Sequence, residues 1–231
     1  MKSTFTIPVA IILGGIIVAV AVYFSVARPA ERSTSSGTGN PALVRPVGSS
    51  DHILGSPTAP VMIVEYSDFD CDYCKGFHDI LHQVIASEGA DGKVAWIFRQ
   101  FPLTELHPNA RKHAEAAECV AKVAGNDAFW KFADALFKNQ PTDPSRYGEL
   151  AASAGVPADA FATCYANAAS TVDARITADR QNALDSGAIG TPYSLIVVRG
   201  KPPIVMDAAW SYDAVTFSVD QTLQSSTNSS L

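Results

Sequence analysis

The sequence predicts an α/β domain with a helical insertion, preceded by an N-terminal transmembrane helix. Two apolar runs, residues 61–67 and 94–101, have the length and the β-branched content of buried strands. A helical pattern of about 15 residues lies between the two runs, and this order is typical of a right-handed parallel βαβ unit. A long stretch of purely helical patterns follows, and a short strand pair and a closing helix end the domain.

Composition excludes one class of function. The chain has 231 residues, of which 47% are hydrophobic, so it is long enough and apolar enough to bury a core. Its formal net charge is −6. A nucleic-acid-binding domain would instead show a basic patch or stripe, so we expect no nucleic-acid partner.

The N-terminus predicts a membrane anchor over residues 1–27. Residues 5–27 carry no charge and are rich in Ile, Val, Ala and Gly, and this length spans a bilayer as a helix. The small residues at 25–27 leave a cleaved signal peptide as the alternative. Four cysteines beside an export-like N-terminus indicate an oxidising compartment. We therefore expect a single-pass protein of the cell membrane with its domain on the extracytoplasmic (periplasmic) side.

The rest of the chain divides into a linker, a domain and a tail. Residues 28–50 are rich in Ser, Gly, Thr and Pro, and predict a flexible linker. The folded domain is expected over residues 51–224, with the helical insertion at about 104–186. Strands are expected at 193–198 and 204–206, a final helix at 212–223, and a polar tail at 225–231.

The two cysteines that follow the first strand carry the chemistry. Cys71 and Cys74 are two residues apart, and apolar residues with a helical period begin directly after them. Cys71 is therefore expected at the N-terminus of a helix. Free backbone N–H groups and the helix dipole favour an anion there, so the thiol ionises more readily, and the thiolate is the form that exchanges disulfides.

The segment Asp68 to Cys74, the Gly190-Thr191-Pro192 turn before the strand pair, and the order of the elements resemble the DsbA-like branch of the thioredoxin superfamily. The resemblance covers roughly residues 50–223 and implies a thioredoxin-like fold and protein thiol-disulfide oxidoreductase activity. It implies that Cys71 is the exposed nucleophile and Cys74 its buried partner. It also implies that Pro192 is a cis proline opposite the pair, and that Thr191 and Pro192 line the groove for an extended peptide.

Three further residues are assigned to this site. Glu65 lies six residues before Cys71, where thioredoxin-like proteins often carry a buried acid. Buried there, it would have a raised pKa and could exchange a proton with Cys74. The alternative is an ordinary edge-facing glutamate. Phe69 and Tyr73 flank the cysteines and are expected to stay exposed as an apolar surface for substrate.

The residues around the cysteines predict a moderate oxidant. Strong oxidases of the DsbA-like branch carry a histidine where this chain has Tyr73, and Asp72 opposes a thiolate. Asp68 and Asp70 add negative charge, although Asp70 is expected to cap the helix. We therefore expect the pKa of Cys71 to be lowered less than in the strongest oxidases.

The remaining cysteines and two histidines complete the candidate residues. Cys119 and Cys164 lie on apolar faces of the helical insertion, and we predict a structural disulfide between them; two buried free thiols and a four-cysteine zinc site are the alternatives. His78 and His82 follow Cys74 at intervals of four residues, a spacing found among metal ligands. We expect both on the solvated flank of the helix, and we expect neither a metal nor a cofactor.

Together these features predict a membrane-anchored enzyme that forms disulfides in exported proteins. Its partners would be reduced or misoxidised exported proteins and a membrane redox protein that resets the cysteine pair. The alternatives are a disulfide reductase or isomerase of the same fold, and a non-catalytic module that binds peptides or metal.

Overall fold

The computed structural model describes residues 39–206 and 211–228. The predicted transmembrane helix at 1–27, the first part of the predicted linker and the end of the polar tail lie outside these residues. Among the described helices, none combines the length and the apolar character needed to cross a bilayer.

The described part contains one mixed sheet, and it confirms the predicted βαβ unit. Its strands are β1 His52–Gly55, β2 Val61–Ser67, β3 Val94–Gln100, β4 Tyr193–Val198 and β5 Ile204–Met206. Strand β2 runs parallel to β3, with Val61 opposite Val94, and helix α1 (Asp72–Ser87) joins the two strands. All other strand pairs are antiparallel, and the strand order is β1-β3-β2-β4-β5.

The helical insertion lies between β3 and β4. It consists of α2 (Ala110–Ala124), α3 (Asn126–Lys138), α4 (Tyr147–Ser153), α5 (Ala158–Ala166), α6 (Ala168–Thr171) and α7 (Asp173–Asp185), with a short 3-10 turn, Pro144–Arg146, before α4. The structure describes residues 104–186 throughout, and they contain no strand, as the sequence predicts. The final helix, α8, is Tyr212–Asn228.

The alternation of side chains along β2 decides which residues face the cysteines. Val61 and Ile63 belong to the larger core, which also contains apolar residues of α1, α8 and the helical insertion. Val64 and Tyr66 belong to the smaller core on the opposite face, where α7 packs against β2 and β3. Glu65 continues the first series, because successive side chains of a strand point to opposite faces. An acid in the middle of β2 is therefore directed at α1.

Two predicted boundaries are wrong. Residues 39–50 are not a free linker: they contain the 3-10 turn Pro41–Leu43, and Arg45 forms ion pairs with Asp51 and Asp179 at 3.3 and 2.7 Å. The composition of this segment did not reveal its packing, because its partner Asp179 is distant in sequence. The final helix is also longer than predicted, since α8 continues to Asn228 and does not end at residue 223.

Candidate active site

The end of β2 and the start of α1 hold the two cysteines. Cys71 is the N-cap residue of α1 and Cys74 lies in its first turn, as the sequence predicts. Both thiols are free, and Cys74 is fully buried. The prediction that Cys71 is exposed is wrong, because only 6% of its surface is accessible, although it is more accessible than Cys74.

The turn before β4 covers Cys71. Its peptide bond between Thr191 and Pro192 is cis. The Cys71 thiol donates a hydrogen bond to the backbone carbonyl of Thr191, with Sγ and O 3.4 Å apart. The fold therefore brings a turn 120 residues away in sequence into direct contact with the sulfur.

The two thiols have opposite acidities. A hydrogen bond from the Cys74 side chain is the largest cause that lowers the pKa of Cys71 to about 6, against the effect of burial. The Thr191 hydroxyl and the backbone N–H groups of Cys74 and Tyr73 lower this pKa further. Burial, followed by the hydrogen bond with Cys71, raises the pKa of Cys74 well above its ordinary value. Cys71 is thus the thiolate of the pair near neutral pH.

Glu65 is a buried acid directly beneath the cysteines. It has no accessible surface, and its two carboxylate oxygens accept hydrogen bonds from Ser67 Oγ at 2.7 Å and Trp96 Nε1 at 2.9 Å. Burial raises the pKa of Glu65 to about 7, although both hydrogen bonds oppose the rise. β2 lies between β3 and β4, so Glu65 is not the edge-facing glutamate of the alternative interpretation.

Ser67 links the acid to the buried thiol. Its hydroxyl donates to Glu65. When the hydroxyl turns to donate to the sulfur of Cys74 instead, it lowers the pKa of that thiol. No short motif marks Ser67 in the sequence. The period of two along β2 was the available signal, because it places residues 65 and 67 on the same face of the sheet.

The two acids before Cys71 are paired with histidines. Asp68 Oδ2 accepts a hydrogen bond from the backbone N–H of Leu103 and lies 2.9 Å from His107 Nδ1. Asp70 Oδ1 lies 2.8 Å from His113 Nε2. Burial is the largest single effect and lowers the pKa of His107. The hydrogen bond to Asp68 and the negative charges of Asp68, Cys71 and Asp70 together outweigh it, so the net shift is upward. The negative charge expected beside Cys71 is therefore partly compensated.

The prediction that Asp70 caps α1 is wrong. The N-cap position is occupied by Cys71, and no side chain accepts a capping hydrogen bond there. Asp70 instead forms a hydrogen bond with Nε2 of His113. The other ring nitrogen of His113, Nδ1, is hydrogen-bonded to the hydroxyl of Tyr147. Neither His107 nor His113 was assigned a role from the sequence, because their acidic partners are about forty residues away and no spacing rule joins them.

Phe69 and Tyr73 differ in their exposure to solvent. The prediction that Phe69 is exposed for substrate is wrong: its ring is buried against Phe98 and Phe137, with centroids 5.0 and 5.1 Å apart. Tyr73, on the first turn of α1, is 73% exposed and remains available to a ligand. The difference arises because Phe69 lies in the turn between β2 and α1 with its ring against β3 and α3, whereas residue 73 lies on the outer side of the helix.

The other two cysteines are joined to each other. Cys119 of α2 and Cys164 of α5 form a disulfide, with Cα atoms 5.7 Å apart. A bonded pair leaves no thiolates for a four-cysteine zinc site, and it connects two helices of the insertion. No residue of this bridge belongs to the cluster around Cys71.

The chain is similar to a known family and to several solved structures. Residues 48–199 match the family model described as Thioredoxin. Solved structures similar to this chain include oxidised BdbD of Bacillus subtilis, with 27% identity, a TM-score of 0.63, and coverage of 75% of this chain and 93% of that chain. Another is alpha-DsbA1 of Wolbachia pipientis, with 22% identity, a TM-score of 0.69, and coverage of 83% and 100%.

The curated relatives match over a shorter region. The Na(+)/H(+) antiporter NhaA 3 of Salinispora tropica is 38% identical over 103 residues, which are 43% of this chain and 15% of the antiporter. The probable disulfide bond formation protein D of Bacillus cereus is 32% identical over 100 residues, which are 43% of this chain and 45% of that protein. The matched region therefore spans less than half the length of either relative.

Proposed function

The chain belongs to the thioredoxin family, and from this membership we propose that it is a DsbA-like thiol-disulfide oxidoreductase that forms disulfides in exported proteins. The observation that carries the proposal is the asymmetry of the two thiols. Cys71, beneath the cis Thr191–Pro192 bond, has its pKa lowered to about 6, whereas the pKa of buried Cys74 is raised. A low pKa makes Cys71 a good leaving group, and a leaving thiolate is what disulfide transfer requires.

The reaction begins with the oxidised Cys71–Cys74 pair. A substrate thiolate attacks the sulfur of Cys71, a mixed disulfide forms, and Cys74 is released as a thiolate. Because the pKa of Cys74 is high, it takes up a proton, and Glu65 with a pKa of about 7 supplies that proton through Ser67. A second substrate thiolate then attacks the substrate sulfur of the mixed disulfide. Cys71 leaves as a thiolate, and two electrons have passed to the enzyme.

Substrate is held at the Thr191–Pro192 turn and by the exposed ring of Tyr73. The backbone beside a cis proline that precedes a strand can pair with an extended peptide, which gives affinity without selecting one sequence. Tyr73 adds apolar surface at the mouth of the site. Exported proteins with reduced or mispaired cysteines are the substrates that such a site accepts.

The proposed location is the outer face of the cell membrane. The uncharged segment 5–27 would anchor the chain, and the bonded Cys119–Cys164 pair is of the kind that persists in oxidising compartments. In that location the reduced enzyme needs a membrane redox partner that removes two electrons from Cys71 and Cys74.

Turnover with cysteine variants tests the proposal. The oxidised full chain, mixed with a reduced two-cysteine peptide, should oxidise the peptide, and Cys71→Ser should abolish this. Cys74→Ser cannot be oxidised at the pair, so it is mixed instead with an excess of the disulfide form of the peptide. The Cys71 thiolate should attack that disulfide, release one peptide thiolate and accumulate as a mixed disulfide that dithiothreitol reduces. The double variant Cys119→Ser/Cys164→Ser is the control, because it removes two sulfurs that lie outside the site, and it should retain activity.

Two outcomes would overturn the proposal. Equal peptide oxidation by the wild type and Cys71→Ser would show that the chain does not catalyse the reaction. The chain would then be a non-catalytic module that binds peptides. Activity seen only with scrambled or glutathione-linked substrate and an added reductant would assign the chain to the reductases or isomerases.

A further inference from the structure

The side chains of His78 and His82 on α1 and of Asp134 on α3 bring three polar atoms close together. His78 Nε2 and His82 Nε2 are 3.1 Å apart, and each lies 2.8 Å from Asp134 Oδ1. The two histidines are four residues apart on α1, so they lie on the same side of the helix. Asp134 reaches them from α3. None of the three belongs to the cluster around Cys71.

The prediction that both histidines lie on the solvated flank is wrong. The side chain of His78 is only 3% exposed, and it packs against Phe137 and Trp96 with ring centroids 4.4 and 5.0 Å away. His82 packs edge-on against the same indole. The sequence pattern was misleading because the inward side of α1 includes residue 78 as well as the apolar residues beside it.

Hydrogen bonds account for this arrangement only with close contacts between like groups. If both Nε2 atoms carry hydrogen and donate to Asp134 Oδ1, the two donor nitrogens are only 3.1 Å apart. If either Nε2 lacks hydrogen, its lone pair points at a carboxylate oxygen 2.8 Å away. A cation bound by all three atoms removes the conflict, because each then directs a lone pair at the same centre.

The cluster has one buried side and one accessible side. The side chain of His78 is only 3% exposed and fixes the position of its Nε2 atom. The other side of the cluster is open, since the side chains of His82 and Asp134 are 35% and 49% exposed, so an ion and water can enter.

We propose that His78, His82 and Asp134 form a binding site for a divalent transition-metal ion, with Zn²⁺ the best-fitting ion. Two imidazoles and one carboxylate are a donor set that Zn²⁺ prefers over Mg²⁺ or Ca²⁺. Ligand atoms around tetrahedral Zn²⁺ are about 3.3 Å apart, because the bonds are about 2.0–2.1 Å long. The observed separations of 2.8–3.1 Å need only a small outward movement of the partly exposed side chains. The fourth position would hold water.

Metal titration of the full chain tests this site. The chain is purified without a polyhistidine tag in a Cys71→Ser/Cys74→Ser background, so that thiolates do not compete for the ion. Co²⁺ is the probe, because its visible absorption reports tetrahedral nitrogen and oxygen ligands. We expect one Co²⁺ per chain, displaced by one equivalent of Zn²⁺.

Ligand variants locate the ion. His82→Ala and Asp134→Asn should each weaken binding by more than about tenfold, and both side chains are exposed enough to be replaced without unfolding the chain. His107→Ala and Asp127→Asn are matched controls; Asp127 lies on α3 as Asp134 does. Both controls should bind as the parent chain does. Absence of a tetrahedral Co²⁺ spectrum, or binding that survives both ligand variants unchanged, would overturn the proposal.

Discussion

Replacing Glu65 by Gln removes the only ionisable group that the sheet directs at the two cysteines from β2. Glutamine has nearly the same shape, and its amide can keep the hydrogen bonds with Ser67 and Trp96 that the carboxylate accepts at 2.7 and 2.9 Å. The substitution therefore changes the charge while largely preserving the packing. It isolates what the buried acid contributes to stability.

The size of the effect follows from the pKa of Glu65. Burial raises this pKa from 4.5 to about 7, so the folded chain holds the proton more tightly than the unfolded chain does. The resulting stabilisation is fully present below pH 4.5 and is lost as pH rises through 7. One pKa unit corresponds to about 1.36 kcal/mol, so the loss is roughly 3 kcal/mol. Glutamine does not titrate and should not show it.

Denaturant unfolding of the oxidised chain measures this difference. With the Cys71–Cys74 disulfide closed, the thiols do not titrate and the comparison reports Glu65 alone. The quantity to compare is the unfolding free energy of Glu65→Gln minus that of the wild type. This difference should be larger at about pH 8 than at about pH 5, by up to roughly 3 kcal/mol. A difference between the two chains that does not change with pH would refute the assignment of Glu65 as a buried acid with a raised pKa.

Three other predictions follow from the site and its scaffold. Alkylation of the reduced chain at Cys71 should accelerate with a midpoint near pH 6, while Cys74 stays unreactive; a midpoint near the ordinary thiol pKa of 9 would contradict this. Cys119→Ser/Cys164→Ser should lose about 4 kcal/mol of unfolding free energy, since the bridge closes a loop of 45 residues, and an unchanged urea midpoint would refute it. Tyr73→Ser should raise KM for an apolar peptide roughly fivefold, about 1 kcal/mol, with kcat unchanged; a fall in kcat alone would contradict a binding role.

The parts of the fold that the sequence predicts are those with local signals. β2, α1 and β3 follow from side-chain periods within single segments, and the strand pair before α8 follows from its turn. Strand β1 is not predicted, because it is only His52–Gly55 and its partners in β3 are at least forty residues away. The packing of residues 39–50 was missed for the same reason, since it depends on ion pairs with residues distant in sequence.

The residues of the candidate site also divide into those that the local sequence marks and those that only the fold brings together. Cys71, Cys74 and Pro192 are marked by short motifs, and Glu65 by its distance from the first cysteine. Ser67, His107 and His113 are not marked by any motif, because their roles depend on contacts across elements. Phe69 shows the opposite failure: closeness to the cysteines in sequence suggested exposure, but the direction of its side chain placed it in the core.

The reduction potential of the Cys71–Cys74 pair tests the central claim most directly. Equilibration of the full chain with glutathione buffers should give one two-electron transition that Cys71→Ser abolishes. A Cys71 pKa of about 6 lies between the values of about 7 and about 3.5 found in thioredoxin and DsbA. We therefore expect a potential between the corresponding values of about −270 and about −120 mV. A potential at or below about −270 mV, or no reversible transition, would contradict a disulfide-forming enzyme.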